Sequence, residues 1–457
     1  MLDIVNTIAA ISTPRSAGGI GIIRISGPES TKIADKVFVS SSGAKLINSK
    51  GYRAHFGKII CDGKILDEAV CLVFRAPKSY TGEDVVEISL HGGMYVVTKA
   101  LSAVLSAGAR PAEAGEFTKR AFLNGKLDLS EAEAVMNIIS AEGEQAAFAA
   151  ANALDGALSR KIRAEADKLI AVSATLAAWV DYPDDETEEM APENMLSVFI
   201  SVRDSLEKLL TEFESGQAVT QGVNAAIVGR PNVGKSTLMN LLTGFERSIV
   251  TSYAGTTRDV VEETVRLGNV VLRLADTAGI RDTENPVESI GVGMAKKKLS
   301  EASLVLAVFD GSEELSDEDR ELLKSCKNKR AVAVINKTDL EKTLDKNEIK
   351  RYINDVVEIS AFSGEGRDEL SDTVERILGT DRFDSSSAML GNERQKSCCE
   401  KAVKYLSEAI EAVKSGVTAD AVNVCADSCI EALLEITGEK AGEAVVNEIF
   451  SRFCVGK

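Results

Sequence analysis

The segment Gly229-Arg230-Pro231-Asn232-Val233-Gly234-Lys235-Ser236 constrains this chain most. It fits G-x-x-x-x-G-K-[ST] and lies between an apolar run, Ala225 to Val228, and a helical run, Leu238 to Leu242. A strand feeding a glycine-rich turn that opens a helix belongs to an α/β domain. The residue types then state a chemistry. Glycines let backbone N–H groups curl around phosphate oxygens at a helix N-terminus, Lys235 neutralises the β- and γ-phosphates, and Ser236 offers a hydroxyl to Mg²⁺. Nucleotide contacts are expected from Asn232, Val233, Gly234, Lys235, Ser236 and Thr237. A chance glycine-rich turn would lack the flanking strand and helix.

Asp276-Thr277-Ala278-Gly279 follows the apolar run Val270 to Leu274, where an aspartate can act on Mg²⁺ through water and a glycine N–H can meet the γ-phosphate. Asn336-Lys337-Thr338-Asp339 resembles the N-K-x-D element of the Ras-like GTPases, whose carboxylate accepts two N–H bonds from guanine that adenine cannot offer. Ser360-Ala361, with Phe362 beside it, matches the S-A element that helps hold the base. Gly255-Thr256-Thr257-Arg258-Asp259 lies where these GTPases carry switch I, with Thr257 as the second Mg²⁺ hydroxyl, and nucleotide contacts are expected through Thr251, Ser252, Tyr253, Ala254, Gly255, Thr256 and Thr257. Ile280 stands where Ras places the glutamine that orients the attacking water, and isoleucine can neither donate nor accept. Hydrolysis therefore needs another water-positioning group, for which Glu288 is the candidate, and another cation in place of an arginine finger.

The surrounding texture sets the organisation. Up to about residue 124 extended apolar runs (Gly21 to Ile25, Val70 to Phe74, Val85 to Ile88) accompany a helical run at Val96 to Leu105, an α+β pattern. From Lys126 the chain turns helical, with Ser130 and Glu133 spaced as a capping box. Met195, Phe199, Val202, Leu206, Leu209, Leu210 and Phe213 then form one amphipathic stripe. The acidic stretch Asp181 to Glu189 reads as a solvated loop. Between 218 and 380 short apolar strands (Ala225 to Val228, Val270 to Leu274, Leu304 to Phe309, Ala331 to Ile335, Val356 to Ile359) alternate with helices, which implies a mostly parallel sheet. Val403, Leu406, Ile410 and Val413 resume a helical stripe. The expected architecture is multidomain: an α+β N-terminal domain (1–124), a discontinuous all-α helical domain (125–217 and 381–457), and an inserted Ras-like α/β P-loop G domain (218–380).

With 53 Lys+Arg against 70 Asp+Glu the net charge is -17, which disfavours general binding to nucleic-acid phosphates and confines any RNA contact to a local patch or a partner. No apolar run nears the roughly 20 residues of a membrane span, and the start lacks a cationic signal region, so no membrane role and a cytoplasmic location are expected. The eight cysteines are scattered, and reduced thiols are expected. Cys425 and Cys429, four apart on a helix, read as core residues rather than half a zinc site. Cys454 could be a nucleophile, a metal ligand, a lipidation site or a packing residue, although Cys454-Val455-Gly456-Lys457 fails as a prenylation box. The Gly18 to Gly27 run lacks the third glycine of a dinucleotide fingerprint, because Arg24 occupies that place.

These motifs, with Gly18-Gly19-Ile20-Gly21-Ile22-Ile23-Arg24-Ile25-Ser26-Gly27, Tyr80-Thr81-Gly82-Glu83-Asp84, His91-Gly92-Gly93, Gly115-Glu116-Phe117, Arg120 to Asn124 and the final Cys454 to Lys457, make the chain resemble the MnmE (TrmE) family of tRNA-modifying GTPases from end to end. The resemblance implies a folate-binding, dimerising N-terminal domain with Arg24, Glu87, Lys126 and Lys457 at the folate. It implies K⁺ in place of an arginine finger, held by Asn232, Thr251, Tyr253 and Thr256, with Glu288 orienting water and Lys235 acting on the phosphates. Implied cofactors are GTP, Mg²⁺, K⁺ and a 5-formyl- or methylene-tetrahydrofolate. Implied partners are a second copy in a homodimer, the flavin-dependent MnmG (GidA) in a heterotetramer, and tRNA, whose wobble uridine (U34) receives an aminomethyl-type group, carboxymethylaminomethyl included, at C5. The resemblance implies that Cys454 lies beside the folate, in a catalytic or redox role. The rival reading is a GTPase switch in RNA or ribosome assembly without modification chemistry of its own.

Overall fold

The computed structural model of the chain describes residues 6–181, 191–245, 263–274 and 302–457. Strands β1 (Ile8–Ile11), β2 (Ile20–Ser26), β3 (Phe38–Ser40), β4 (Arg53–Cys61), β5 (Lys64–Phe74), β6 (Val85–His91) and β7 (Arg110–Pro111) form a sheet in the order β3-β4-β5-β6-β2-β1-β7. Every pairing is antiparallel except that of β1 with β7. Alternation along the strands decides the two faces. Ile23, Ile25, Ile59, Cys71, Val73, Val86 and Ile88 are buried on one face, where α1 (Ser30–Val37) and α2 (Met94–Ser106) add Ile33, Val37, Val97 and Val104 to the core. On the other face the register places Phe56 opposite Val70, Leu72 opposite Glu87, and Glu87 opposite Arg24. The short helix α3 (Glu116–Leu123) follows.

Five helices come next: α4 (Leu129–Ser140), α5 (Glu144–Leu154), α6 (Ala157–Asp181), α7 (Pro192–Thr211) and α8 (Phe213–Gln221). The α7 stripe is as its spacing predicts, with Phe199, Val202, Leu206 and Leu209 all buried. The capping box at α4 is not Ser130 with Glu133. Asp128 and Glu131 make it instead: Asp128 N–H donates to Glu131 Oε2 at 2.8 Å and Glu131 N–H to Asp128 Oδ1 at 3.0 Å. Ser130 is already inside the helix, buried, and its hydroxyl donates to Ile436 O at 2.9 Å. Both spacings satisfy the same motif, and the aspartate two residues earlier takes the cap.

An α/β layer follows, with β8 (Val223–Val228), α9 (Lys235–Phe245), β9 (Glu263–Leu267), β10 (Val270–Leu274), β11 (Leu304–Asp310), α10 (Asp317–Cys326), β12 (Ala331–Asn336), α11 (Lys346–Lys350), β13 (Asp355–Glu358) and α12 (Arg367–Leu378). Its six strands lie in the order β13-β12-β11-β8-β10-β9, parallel throughout except for β9. A parallel sheet is covered on both faces, and its strands are accordingly apolar throughout. Leu272, Leu306, Val308 and Val334 pack with Leu238, Leu242, Leu370 and Val374 on one side, while Val305, Ala307, Phe309 and Ile335 pack with Leu323 and Ile349 on the other. Helices α13 (Glu393–Lys414), α14 (Ala419–Thr437) and α15 (Glu443–Ser451) complete the chain.

These elements fall into two compact units. One comprises Met1–Met136, Ser159–Val198 and Tyr405–Lys457, and the other Asn137–Leu158 and Phe199–Lys404. Among the described residues no helix is long and apolar enough to cross a membrane.

Candidate functional site

In the second unit, strand order brings three loops together. Central β8 delivers the glycine-rich loop, and the ends of β12 and β13 deliver Asn336 to Asp339 and Ser360 to Phe362. The loop is a tight cradle. Gly234 has φ +96, and a Cβ there would run into the Asn336 amide, so only glycine lets the two loops meet. Asn232 also takes a left-handed backbone, φ 64, with its side chain exposed and making no hydrogen bond among the described residues. Asn336 is the clamp. Only 2% exposed, it donates from Nδ2 to Val233 O at 2.9 Å and accepts at Oδ1 from Ala361 N–H at 2.9 Å. Ser360 donates to Asp339 Oδ1 at 2.6 Å, which holds the exposed carboxylate at the rim.

Two lysines face the cradle in different electrostatic settings. Lys235 Nζ donates to Arg230 O at 2.7 Å, and burial pushes its pKa below the ordinary lysine value. A phosphate would supply the negative charge that this half-buried ammonium lacks. Lys337 reaches Asp310 Oδ2 at 2.6 Å. Burial opposes the Asp310 charge, but hydrogen bonds from Lys337 and Ser312 outweigh it and hold the carboxyl below its usual range. Arg230 in the loop contacts Glu313 and lies 3.1 Å from Asp319, so the loop is tied to the segment after β11 by charge. The fit to a nucleotide with Mg²⁺ is good on this side: Ser236 and Thr237 are exposed at the first turn of α9, which presents N–H groups to an anion.

In the first unit a second polar cluster forms on the open sheet face. Arg24 donates through Nε to Glu87 Oε1 at 2.9 Å, its Nη2 lies 2.9 Å from the same oxygen, and its Nη1 reaches Gly456 O at 3.5 Å. Its guanidinium carbon stands 5.0 Å from the Tyr80 ring centre and 5.6 Å from that of Phe117. The C-terminal tetrapeptide is built into this unit. Ala114 bridges Val455, Phe117 N–H donates to Lys457 O at 3.2 Å, and Ser12 Oγ to Gly456 O at 3.2 Å. Gly456 has φ +103 and presses against Ile11 O, leaving no room for a side chain. Burial, followed by the Arg24 charge, lowers the Lys457 pKa. A cation pair beside one carboxylate and two aromatic rings suits a planar anionic ligand.

The structure thus brings Arg24, Glu87 and Lys457 together. Lys126 lines a cavity of about 490 Å³ with Phe122, Asp128, Glu131, Arg163 and Glu439. Cys454 is a free, exposed thiol, its carbonyl accepting from Gly115 N–H at 3.4 Å. Cys429 is buried on α14 and Cys425 is half-buried, neither in a disulfide. Phe362 is 89% exposed beside Ala361. Thr251, Ser252, Tyr253, Ala254, Gly255, Thr256, Thr257, Asp276, Thr277, Ala278, Gly279 and Glu288 lie outside the described residues. Sequence reasoning did not single out Asp310 as a site residue, and Tyr80 and Phe117 entered only as members of the resemblance motifs, with no role. Asp310-Gly311-Ser312, a turn closing an otherwise apolar strand, was the available signal for the first.

Fold and site define a P-loop domain of the guanine-nucleotide-binding kind. The family model for the MnmE helical domain matches residues 129–454, and that for the GTP-binding protein TrmE N-terminus matches residues 7–126. Similar proteins include the tRNA modification GTPase MnmE of Clostridioides difficile, 40% identical over 455 residues with 99% of each chain covered. That of Bacillus licheniformis is 41% identical over 458 residues, covering 99% of this chain and 100% of its own. That of Carboxydothermus hydrogenoformans is 42% identical over 458 residues, with 99% of each covered. The chain belongs to the MnmE (TrmE) family of tRNA modification GTPases.

Proposed function

We propose that this protein is a K⁺-activated GTPase that, with a flavin-dependent partner, installs an aminomethyl-type group on C5 of the wobble uridine of certain tRNAs. Arg24, Glu87 and Lys457 hold a tetrahydrofolate in this reading, and the folate supplies the one-carbon unit. The observation that carries it is the convergence of these three charged groups, with Tyr80 and Phe117, around the seated C-terminal tetrapeptide. A GTPase switch without modification chemistry has no need of such a cluster far along the chain from the nucleotide loop. In this reading Arg24 and Lys457 meet carboxylates of the folate, and Glu87 accepts from amino groups of its pterin.

At the nucleotide, Lys235 and the N–H groups of the α9 turn bind phosphate oxygens, Ser236 faces the Mg²⁺, and Asp339 reads guanine. Asn232 offers a free amide oxygen for K⁺, whose charge would stand in for an arginine finger. Thr251, Tyr253 and Thr256 would complete the K⁺ ligands, Thr257 would give the second Mg²⁺ hydroxyl, and Glu288 would orient water. A homodimer draws support from Ile20, Val39, Phe56 and Val70, exposed on the sheet face that α1 and α2 leave open. Calorimetry with 5-formyltetrahydrofolate tests the reading: the protein should bind it, and Arg24→Ala should lose the signal while GTP hydrolysis continues. No heat with the parent protein, or equal heat with the variant, refutes the folate assignment.

A further inference from the structure

Charge is unevenly spread along this chain. Up to residue 124 there are fifteen Lys and Arg against eleven Asp and Glu, although the whole chain carries -17. No carboxylate occurs between Asp35 and Asp62, a stretch holding Lys36, Lys45, Lys50, Arg53 and Lys58. The fold gathers Lys45, Lys50 and Arg53 with Lys78 at one end of the seven-stranded sheet, on the loop that enters β4, on that strand's first residue and on the loop that leaves β5.

Arg75 organises this end. It donates to Leu46 O at 3.2 Å, Ile47 O at 2.6 Å and Ser49 O at 3.1 Å, and to Asp84 Oδ2 at 2.6 Å. Tyr52 ties the two loops, its N–H donating to Val73 O at 2.8 Å and its hydroxyl to Lys78 O at 3.0 Å. The nearby carboxylates are engaged: Asp35 accepts from the N–H groups of Leu46 and Ile47, and Asp84 holds Arg75 and the Ala76 N–H. Lys45, Lys50, Arg53 and Lys78 are exposed and form no ion pair among the described residues. Amid them Tyr52 is 62% exposed, held in a left-handed backbone (φ 60) with its ring edge-on to Phe74 at 5.6 Å. A bulky residue in that conformation persists only where the surroundings enforce it, and such positions cluster at binding sites.

We propose that these two loops contact the tRNA: the four cations meet backbone phosphates and the Tyr52 ring offers a stacking face to an unpaired base. Exposed, unpaired cations around an outward aromatic are the chemistry of RNA contact, and an overall acidic chain needs such a patch to bind a polyanion at all. The assignment rests on tRNA being the substrate.

The test is fluorescence anisotropy of the full-length protein with a labelled, unmodified tRNA transcript, titrated across about 50 to 200 mM KCl. K45Q/K50Q/R53Q/K78Q should bind at least about tenfold more weakly at the low-salt end and flatten the salt slope by about 3, since each lost phosphate contact removes about 0.7 to 0.9. GTP hydrolysis should be unchanged, and K324Q/K327Q, elsewhere on the surface, should bind as the parent does. The four single variants, each flattening the slope by just under about 1, guard against misfolding of the quadruple one. Parent-like affinity and slope in the quadruple variant overturn the proposal, as does a change of oligomeric state with tRNA affinity intact. Wobble modification in cells keeps the two claims separate: if cells lacking the protein lose it and the quadruple variant restores it at parent tRNA affinity, only the patch falls. If such cells keep their modification, the substrate reading itself falls.

Discussion

Replacing Asn336 with alanine should cripple nucleotide binding without touching a nucleotide-facing charge. The side chain is 2% exposed and makes two hydrogen bonds of 2.9 Å, to Val233 O in the phosphate loop and from Ala361 N–H in the base loop. Alanine leaves one buried acceptor and one buried donor unpaired, at about 1 to 3 kcal/mol each, or roughly 2 to 6 kcal/mol together before the loops relax toward water. Even the lower bound corresponds to about thirtyfold in affinity if the nucleotide must restore the original loop positions. Fluorescence titration with a labelled GDP measures this directly, and thermal unfolding without nucleotide should show a lowered midpoint for the same variant. Asp339→Asn is the contrast, since Asp339 is exposed. It should lose guanine affinity while the midpoint of the free protein stays in place. If Asn336→Ala bound GDP like the parent at an unchanged midpoint, the clamp assigned to Asn336 would be wrong.

Other outcomes follow from the same contacts. Gly456→Ala puts a Cβ against Ile11 O at a φ of +103, so the C-terminal tetrapeptide should unseat and tetrahydrofolate affinity should fall in calorimetry, with GTP hydrolysis preserved. Hydrolysis in KCl should far exceed that in NaCl, and Asn232→Ala should erase the difference; equal parent rates in both salts would contradict the K⁺ assignment. Glu116 is buried, which raises its pKa, but hydrogen bonds from Arg110 at 2.5 Å, Glu113 N–H at 2.8 Å and Arg120 at 3.0 Å outweigh burial and depress it. A depressed carboxylate contributes stability above its unfolded value of about 4.3 that disappears as pH falls through its folded one. Glu116→Gln should therefore be less stable than the parent in urea at neutral pH, and the gap should narrow in acid.

The α/β layer was legible because its physics is local. Runs such as Leu304 to Phe309 are apolar throughout, as a strand covered on both faces must be, and the glycine-lysine-serine turn sits where β8 meets α9. Strand β4 was not legible: Arg53, His55 and Lys58 interrupt its apolar residues, because it lies toward the sheet edge with one face open. Strand β9, at the edge of its sheet, reads Glu-Thr-Val-Arg-Leu and has no continuous run. The capping box moved by two residues because Asp128 and Ser130 both stand three before a glutamate, and only the packing of Ser130 against Ile436 chooses between them. Arg24 and Glu87 are 63 residues apart, and their pairing depends on the register of β2 with β6 rather than on any spacing in the sequence.

The central claim is that the GTP site and the charged cluster of the first unit serve one reaction on tRNA. Mass spectrometry of wobble nucleosides from cells lacking the protein tests it most directly. The account predicts that aminomethyl-type C5 modifications of the wobble uridine disappear, and that they return with the parent protein but not with Arg24→Ala. Undiminished C5 modification in the deletion cells would contradict it.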